Sequence, residues 1–352
     1  MTQDREGACE IRVAAAGVGS SLSGMLQAAE LYRRGTAEGL LHINLGGYSP
    51  SCVKLVAAFD VDKRKVGKSV DQALFADEAH LPKFTELGTG VTVAPGVLLD
   101  DTLRDRIDTV AAHVSEVERI LEAVRPDVFL NLVNSGMNKS TEEYAKVCAR
   151  KGVAFVNASP TPVATSEDLE ALFRTRKVPL LGDDLLSQIG GTVFHAVLLS
   201  LLNSRGVRIK QTYQLDVGGG LENMLTVYDD ELRLSKRNIK SATVASVLPY
   251  SAAVATGTTE YVDFMGNSRE SHFEIVGSYT LGAPIEIEIT LKSFDGANAA
   301  GPLLDAVRAA KVARERGVGG ALEEVNPYLF KLVRSKVDPV SAQRAFISFF
   351  LP

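Results

Sequence analysis

Tryptophan is absent from this 352-residue chain, and aromatic residues make up only 7% of it. A stacking platform for nucleic-acid bases is therefore not indicated. Basic residues are not in excess either. Against 43 Asp and Glu stand 38 Lys and Arg, a net charge of −5, which offers nucleic acid no global footprint. A local basic pocket for a phosphorylated small molecule is compatible with that sum. Cysteine is scarce: Cys9, Cys52 and Cys148 are odd in number and none has C-x-x-C spacing. A disulfide framework is not expected, and a reducing cytoplasm is the default compartment. No apolar run approaches the ~18 residues of a membrane span, and Met1 to Glu10 lacks the apolar core of a signal peptide. His42, His80, His113, His195 and His272 are scattered, with no H-x-x-x-H and no Cys/His cluster. A zinc site is thus disfavoured, and the metal requirement stays open.

What is present is ordinary for a globular protein: 45% hydrophobic and 23% charged residues. The length allows two or three domains of roughly 100–200 residues each. Ile11 to Ala16 is a short apolar run ending at Gly17, and a helical pattern follows from Gly24 to Arg34. Strand, glycine turn and helix form a dinucleotide-binding opening. Leu55 to Phe59, Val128 to Leu132 and Val153 to Asn157 read as further buried strands, with helices over Val117 to Val124 and Thr141 to Lys151 between them. This alternation predicts a Rossmann-type, doubly wound parallel sheet. The second half differs. Ile189 to Leu202 reads as an apolar helix and Lys210 to Val217 as a strand. Ile285, Ile287, Ile289 and Leu291 alternate with Glu286, Glu288, Thr290 and Lys292, which predicts a strand with one face buried. Leu303 to Arg314 reads as a closing helix. The expected fold class is α/β, the Rossmann-type sheet plus an inserted α+β sheet domain. The expected divisions are 1–185, 186–292 and 293–352, the last returning to the first.

Several clusters are candidates for chemistry. Gly17, Gly19, Ser20 and Ser21 lie in the glycine turn, where free N–H groups at a helix start attract a pyrophosphate. A bare strand–helix turn is the plain alternative. Leu22 holds the usual third-glycine position, and Gly24 lies two residues on. Asp60 and Asp62 end the next strand, where an acid can bond an adenosine ribose, although the gap is about twice the usual 20 residues. Asp183 and Asp184, followed by Ser187 and Gln188, read either as a helix cap or as the polar rim of a pocket. Lys236 and Lys240 share one face if their segment is helical. Two ammonium groups so placed can clamp a phosphate or stabilise an oxyanion; a solvated basic face is the alternative. Asp295 to Asn298 reads as a turn with a capping Asn, and Lys331 sits in a terminal amphipathic segment.

These blocks resemble the myo-inositol-1-phosphate synthase family in its shorter prokaryotic form, from about Ile11 to Lys331. The stretches that carry the resemblance are Gly39 to His42 with Gly46 to Tyr48, Val56 to Asp62, Gly152 to Asn157, Gly182 to Asp184 with Ser187 and Gln188, Gln214 to Gly219, Ser235-Lys236 with Ile239-Lys240, and Asp295 to Asp305. The insertion Gly35 to Cys52 accounts for the long glycine-to-acid gap. The resemblance implies an NAD-dependent cyclisation without net redox. C5 of glucose 6-phosphate is oxidised, the C6 enolate attacks C1, and the C5 ketone is reduced again. It implies that Lys236, Lys240 and Lys331 are catalytic with Asp184. Ser187 and Gln188 line the substrate pocket, and Asp183, Asp295 and Asn298 the cofactor side. It also implies a homotetramer with no nucleic-acid or membrane partner.

Departures from the family pattern gather round the sugar-phosphate pocket. Leu186 stands where a lysine is usual, Arg269 where another is, and Gly220 where an asparagine is. Ala196 replaces a common arginine, and the glycine loop is shorter. Arg keeps its charge but does not give up its proton. The expectation is a changed substrate: fructose 6-phosphate, whose C6 enolate attacking a C2 ketone closes a five-membered ring, as in a branch of the family that serves carbocyclic nucleosides. Ordinary inositol-phosphate synthesis is the alternative. A non-catalytic NAD-binding homologue is a second, against which the three retained lysines argue. A plain dehydrogenase would instead form NADH stoichiometrically with product.

Overall fold

The computed structural model describes residues 9–351. The first half runs β1 (Ile11–Ala16), α1 (Ser20–Arg33), β2 (Val53–Asp60), α2 (Val70–Ala73), β3 (Val93–Pro95), α3 (Val114–Val124), β4 (Val128–Asn131), α4 (Asn138–Lys151), β5 (Ala154–Asn157), α5 (Glu167–Arg176) and β6 (Pro179–Leu181). Then follow α6 (Gly191–Ser204), β7 (Arg208–Gly218), α7 (Leu221–Val227), α8 (Asp230–Ala245), β8 (Ala253–Tyr261), β9 (Ser268–Ser278) and β10 (Pro284–Phe294). The chain closes with α9 (Asp295–Glu315), β11 (Gly320–Ala321), α10 (Asn326–Leu329) and α11 (Pro339–Phe349).

Seven strands form one sheet in the order β11-β6-β5-β4-β1-β2-β3, and every pairing in it is parallel. Both faces are covered, so the strands are continuous apolar runs rather than alternating ones. Ile11, Val13 and Ala15 pack toward α1 and α9, while Ala14 and Ala16 pack toward α3, α4 and α5. The strand order reverses between β1 and β4, which opens a crevice at their carboxyl ends.

The second sheet has the order β10-β9-β7-β8, with β7 and β8 parallel and the other pairs antiparallel. Leu199 of α6 and Val244 of α8 pack with Ile209 and Ile275 on one of its faces. The alternating strand is found as β10, but its apolar side is only half-buried, against the expectation of a buried face. The reason is its position at the sheet edge, beyond the helices over β7 and β8.

The expectation for cysteine is also corrected. Cys9 and Cys52 form a disulfide with their Cα atoms 5.2 Å apart, and Cys148 is free and buried. Register explains the pairing. Ile11 lies opposite Val53 in parallel strands, so the residues just before those strands are neighbours despite a separation of 43. The cysteine count therefore carries no argument for a reducing compartment. Among the described residues no helix is long and apolar enough to cross a membrane.

Candidate active site

The glycine turn lies at the crevice. Gly17 has φ +93°, and a Cβ there would stand 2.5 Å from the Leu132 carbonyl oxygen, so only glycine fits between β1 and the segment after β4. Gly19 has open space around it and caps α1 without a side-chain bond to the helix N–H groups. Ser20 and Ser21 begin the helix, and its first turn contains no acid. Free N–H groups and a bare backbone thus meet at one point, which suits a pyrophosphate.

Asp60, the acid expected at the ribose, is bonded to the backbone around it. One carboxylate oxygen accepts from Val18 N at 2.7 Å, and the other from Val61 N at 2.7 Å and Asp62 N at 2.9 Å. It braces the glycine turn from β2. The buried Lys65 ammonium donates to the Val18 carbonyl at 3.0 Å from the other side. Gly24 also serves packing. Its Cβ would fall 2.0 Å from the Gly296 carbonyl oxygen, and one on Gly296 would fall 2.5 Å from the Ser20 carbonyl oxygen. The pair lets α1 and α9 touch backbone to backbone.

The Gly182 to Gln188 segment leaves β6 at the same end of the sheet. Asp183 is fully buried and accepts from Asn157, Val163, Ala164 and Thr165. Burial raises its pKa in spite of those bonds. It knots the loop rather than facing the crevice. Asp184 turns the other way and accepts from Lys331 Nζ at 2.6 Å. Lys331 N donates to the Asp184 carbonyl at 2.8 Å and Leu186 N to the Leu329 carbonyl at 2.8 Å. These bonds bring the C-terminal lysine to a residue 147 positions earlier.

Asp295 and Asn298 do not form a turn but the first turn of α9, a 21-residue helix that continues through Pro302. The sequence hides this because Gly301-Pro302 reads as a helix stop. Proline has no N–H to donate, so the Asn298 carbonyl four residues back lacks its helical partner. Gln188 N donates to that carbonyl at 2.8 Å. The Gln188 amide donates onward to the Gly39 carbonyl at 2.7 Å. A Cβ on Gly301 would meet Gln188 Oε1 at 2.7 Å. The Gly-Pro pair inside α9 thus fixes the Ser187-Gln188 corner.

Lys236 and Lys240 do share a face of α8, a 16-residue helix capped by the Asp229 carboxylate, which accepts from Leu232 N. Lys236 pairs with Glu222 of α7 and donates to Thr226 Oγ1 at 3.1 Å. Glu222 also accepts from Asn134 Nδ2 at 3.2 Å and from both the N–H and the hydroxyl of Ser135, linking α7 to the segment after β4. Burial would raise the Glu222 carboxyl, but Lys236 outweighs it and brings it down to about 2. Lys240 is buried and pairs with Asp216 of β7 at 2.6 Å. Arg269 Nε lies 3.0 Å from Asp295, and its Nη2 bonds Asn223. Gly220 has open space where a side chain would project, whereas a Cβ on Gly219 would meet the Gly266 N at 2.6 Å. Packing demands one of these glycines and not the other.

Each of Lys236, Lys240, Lys331 and Arg269 therefore meets its own carboxylate. Glu222 and Asp216 were not singled out by sequence reasoning. A signal for Asp216 exists: Thr212, Gln214 and Asp216 occupy alternate positions of a strand, which puts three polar groups on one face, opposite the Lys236/Lys240 face of a helix.

The family model described as myo-inositol-1-phosphate synthase matches residues 190–296. Inositol-3-phosphate synthase of Mycolicibacterium smegmatis is 35% identical over 341 residues, 93% of this chain and 94% of that protein. The chain belongs to the myo-inositol-1-phosphate synthase family. The inositol-3-phosphate synthase of Corynebacterium glutamicum is also 35% identical, over 96% of this chain and 98% of that one. The crystal structure of Ari2 is similar with a TM-score of 0.79 at 29% identity, covering 97% of this chain and 98% of that chain. As a member of the inositol-phosphate synthase family, the chain is an enzyme, an isomerase-type cyclase. Lys236, Lys240, Arg269 and Asp295 fall within the matched segment 190–296, and the glycine turn, Asp184 and Lys331 outside it.

Proposed function

We propose that this enzyme is an NAD-dependent cyclitol phosphate synthase that acts on fructose 6-phosphate and closes a five-membered ring. The observation that carries the substrate choice is Leu186: an apolar, half-buried side chain next to the Asp184–Lys331 region, where the family pattern has an ammonium. Gly220, with open space around it, supports the same reading by leaving room near Glu222 and Asn223.

The glycine turn fits a dinucleotide, because backbone N–H groups at Gly19, Ser20 and Ser21 have no side-chain cap competing for them. Gly17, Gly19, Ser20 and Ser21 would hold its pyrophosphate, with Asp295 and Asn298 on the nicotinamide side. When bound, NAD supplies a reversible hydride acceptor for C5 of the sugar. The chain's own residues do the rest. Ser187, Gln188 and Arg269 bind and orient the phosphate. Lys331, Lys236 and Lys240 face oxygens that gain negative charge at the C5 carbonyl, the C6 enolate and the new alkoxide, where fixed cations matter most. Asp184 holds Lys331 in reach through their ion pair. NAD and hexose phosphates are cytoplasmic metabolites, which supports a cytoplasmic location. The half-buried apolar face of β10 supports assembly, and we take the family's homotetramer as the working state. We retain the divisions 1–185, 186–292 and 293–352.

The 35% identity to inositol-3-phosphate synthases favours a second reading, glucose 6-phosphate to myo-inositol 1-phosphate. The test is to supply NAD⁺ with glucose 6-phosphate or fructose 6-phosphate and follow the carbon NMR spectrum. A cyclopentane cyclitol phosphate from fructose 6-phosphate is expected. A six-membered cyclitol phosphate from glucose 6-phosphate sinks the favoured substrate. NAD binding without turnover of either sugar revives the non-catalytic homologue.

A further inference from the structure

We infer that Asp216 is a positioning residue: it keeps the Lys240 side chain in the site as an ammonium ion, beside two further cations, Arg269 and Lys236. Its catalytic meaning rests on the cyclase reading above; the charge state of Lys240 does not.

Lys240 projects from α8 with only 7% of its side chain exposed, and Asp216 beneath it has 1%. Lys240 Nζ lies 2.6 Å from Asp216 Oδ2. The other oxygen, Oδ1, accepts from Ser271 Oγ of β9 at 2.7 Å and from Gln214 Nε2 of β7 at 2.8 Å. The carboxylate is thus held at both ends, and its free lone pairs point at one partner. A Cβ on Gly191, at the start of α6, would fall 2.3 Å from Gln214 Nε2 and 2.8 Å from Ser271 Oγ. That glycine leaves room for the two groups that fix Asp216.

The surroundings decide why a carboxylate is needed there. Arg269 approaches from β9 and Lys236 lies one turn earlier on α8; both oppose a further positive charge. From α6, His195 faces Gln214 Oε1 at 3.3 Å, and its other nitrogen meets Thr212 Oγ1 at 2.8 Å. From α7, Glu222 is already committed to Lys236. β8 contributes the buried hydroxyls of Thr256 and Thr258. Asp216 is the carboxylate in direct contact with Lys240. Burial pulls the Lys240 pKa down and its cationic neighbours add to this, with Asp216 opposing them. Burial would raise Asp216 itself, but Lys240 and Arg269 overcome it and hold the carboxyl far below its usual range. Lys331 is built differently: its partner Asp184 lies on another segment and shares no hydrogen-bond partner with Asp216.

Protein with isotope-labelled lysine side-chain nitrogens tests this on the full chain. Lys240 is identified by the signal lost in Lys240→Arg. In the native protein Lys240 is expected to be an ammonium at neutral pH. In Asp216→Asn, which keeps the shape, its titration midpoint is expected to fall by about 1–3 pH units, the effect of a charge at this range. The alkaline limb of kcat should move down by the same amount, and lowering the pH should restore turnover. A purely structural role would lower kcat equally at every pH. An unchanged midpoint in Asp216→Asn overturns the proposal. So does a neutral Lys240 amine in the native protein, a result that stands even if the variant does not fold. Without turnover of any sugar the titration still decides, and only the cyclase reading fails.

Discussion

At the carboxyl ends of the parallel sheet, Asp60 and Asp183 are held by backbone N–H groups and a few side-chain donors. On the second sheet and its helices, Asp216 and Glu222 meet lysine ammonium groups instead. The two regions use the same residue types for different ends. A carboxylate bound to N–H groups shapes a loop, because its partners are part of the local chain. A carboxylate bound to a lysine from another element leaves a cation placed but able to respond to a substrate. The Asp184–Lys331 pair joins the two patterns: it stands at the carboxyl end of the parallel sheet, yet holds a cation as the second sheet does.

Breaking a pair on the second sheet should have the largest effect. Lys240→Met leaves the Asp216 carboxylate buried without its main partner, and about 3–5 kcal/mol of stability should be lost. Turnover should fall by roughly 10²–10³, the cost of one oxyanion donor. In Lys240→Met with Asp216→Leu, denaturant unfolding should recover most of the stability while turnover stays low. Recovery of both would mean the pair is structural only.

The next effect is a pH slope in the same region. Burial lowers His195 from 6.5 to about 4 in the folded chain. Folding therefore favours its neutral ring. The stability this contributes is whole above 6.5 and is lost as the pH falls toward 4, where the unfolded chain binds a proton that the folded chain resists. The change is about 3 kcal/mol. Unfolding curves across that interval should lose this slope in His195→Gln, and a slope that persists would assign it to other groups.

The frame should respond sterically rather than to pH. Gly24→Ala forces a methyl against the Gly296 carbonyl, and α1 must separate from α9 at a cost of about 1–3 kcal/mol. Thermal unfolding measures it, and a neutral result would show that the helix contact is loose. The smallest effect is expected at Pro302→Ala. The new N–H competes with Gln188 N for the Asn298 carbonyl, so KM for the sugar phosphate should rise about 2–10-fold, one hydrogen bond's worth, with stability unchanged or higher. An unchanged KM would remove Gln188 from the substrate side.

The parallel sheet was legible because both of its faces are buried, and runs such as Val128 to Leu130 and Ala154 to Val156 announce that in any window. The Lys236/Lys240 face was legible from helical spacing. Their partners were not, since Asp216 and Glu222 lie 24 and 14 residues away and reach the lysines only through sheet topology. The backbone bonds of Asp60 were hidden for a related reason: an acid at a strand end bonds a ribose or its own neighbouring backbone equally well in sequence. The start of α9 was hidden because Gly296, Gly301 and Pro302, read locally, are helix breakers, whereas each is required by a neighbour that only the folded chain brings close. The Cys9–Cys52 disulfide follows from the β1/β2 register, which the odd cysteine count concealed.

On the proposed function, this set of paired cations serves a ring closure without net redox. The most direct measurement follows product by NMR and NADH by absorbance in one reaction with catalytic NAD⁺ and excess fructose 6-phosphate. Cyclitol phosphate should accumulate far beyond the NAD present, with no lasting NADH. NADH rising in step with product would contradict the account and make the enzyme a dehydrogenase.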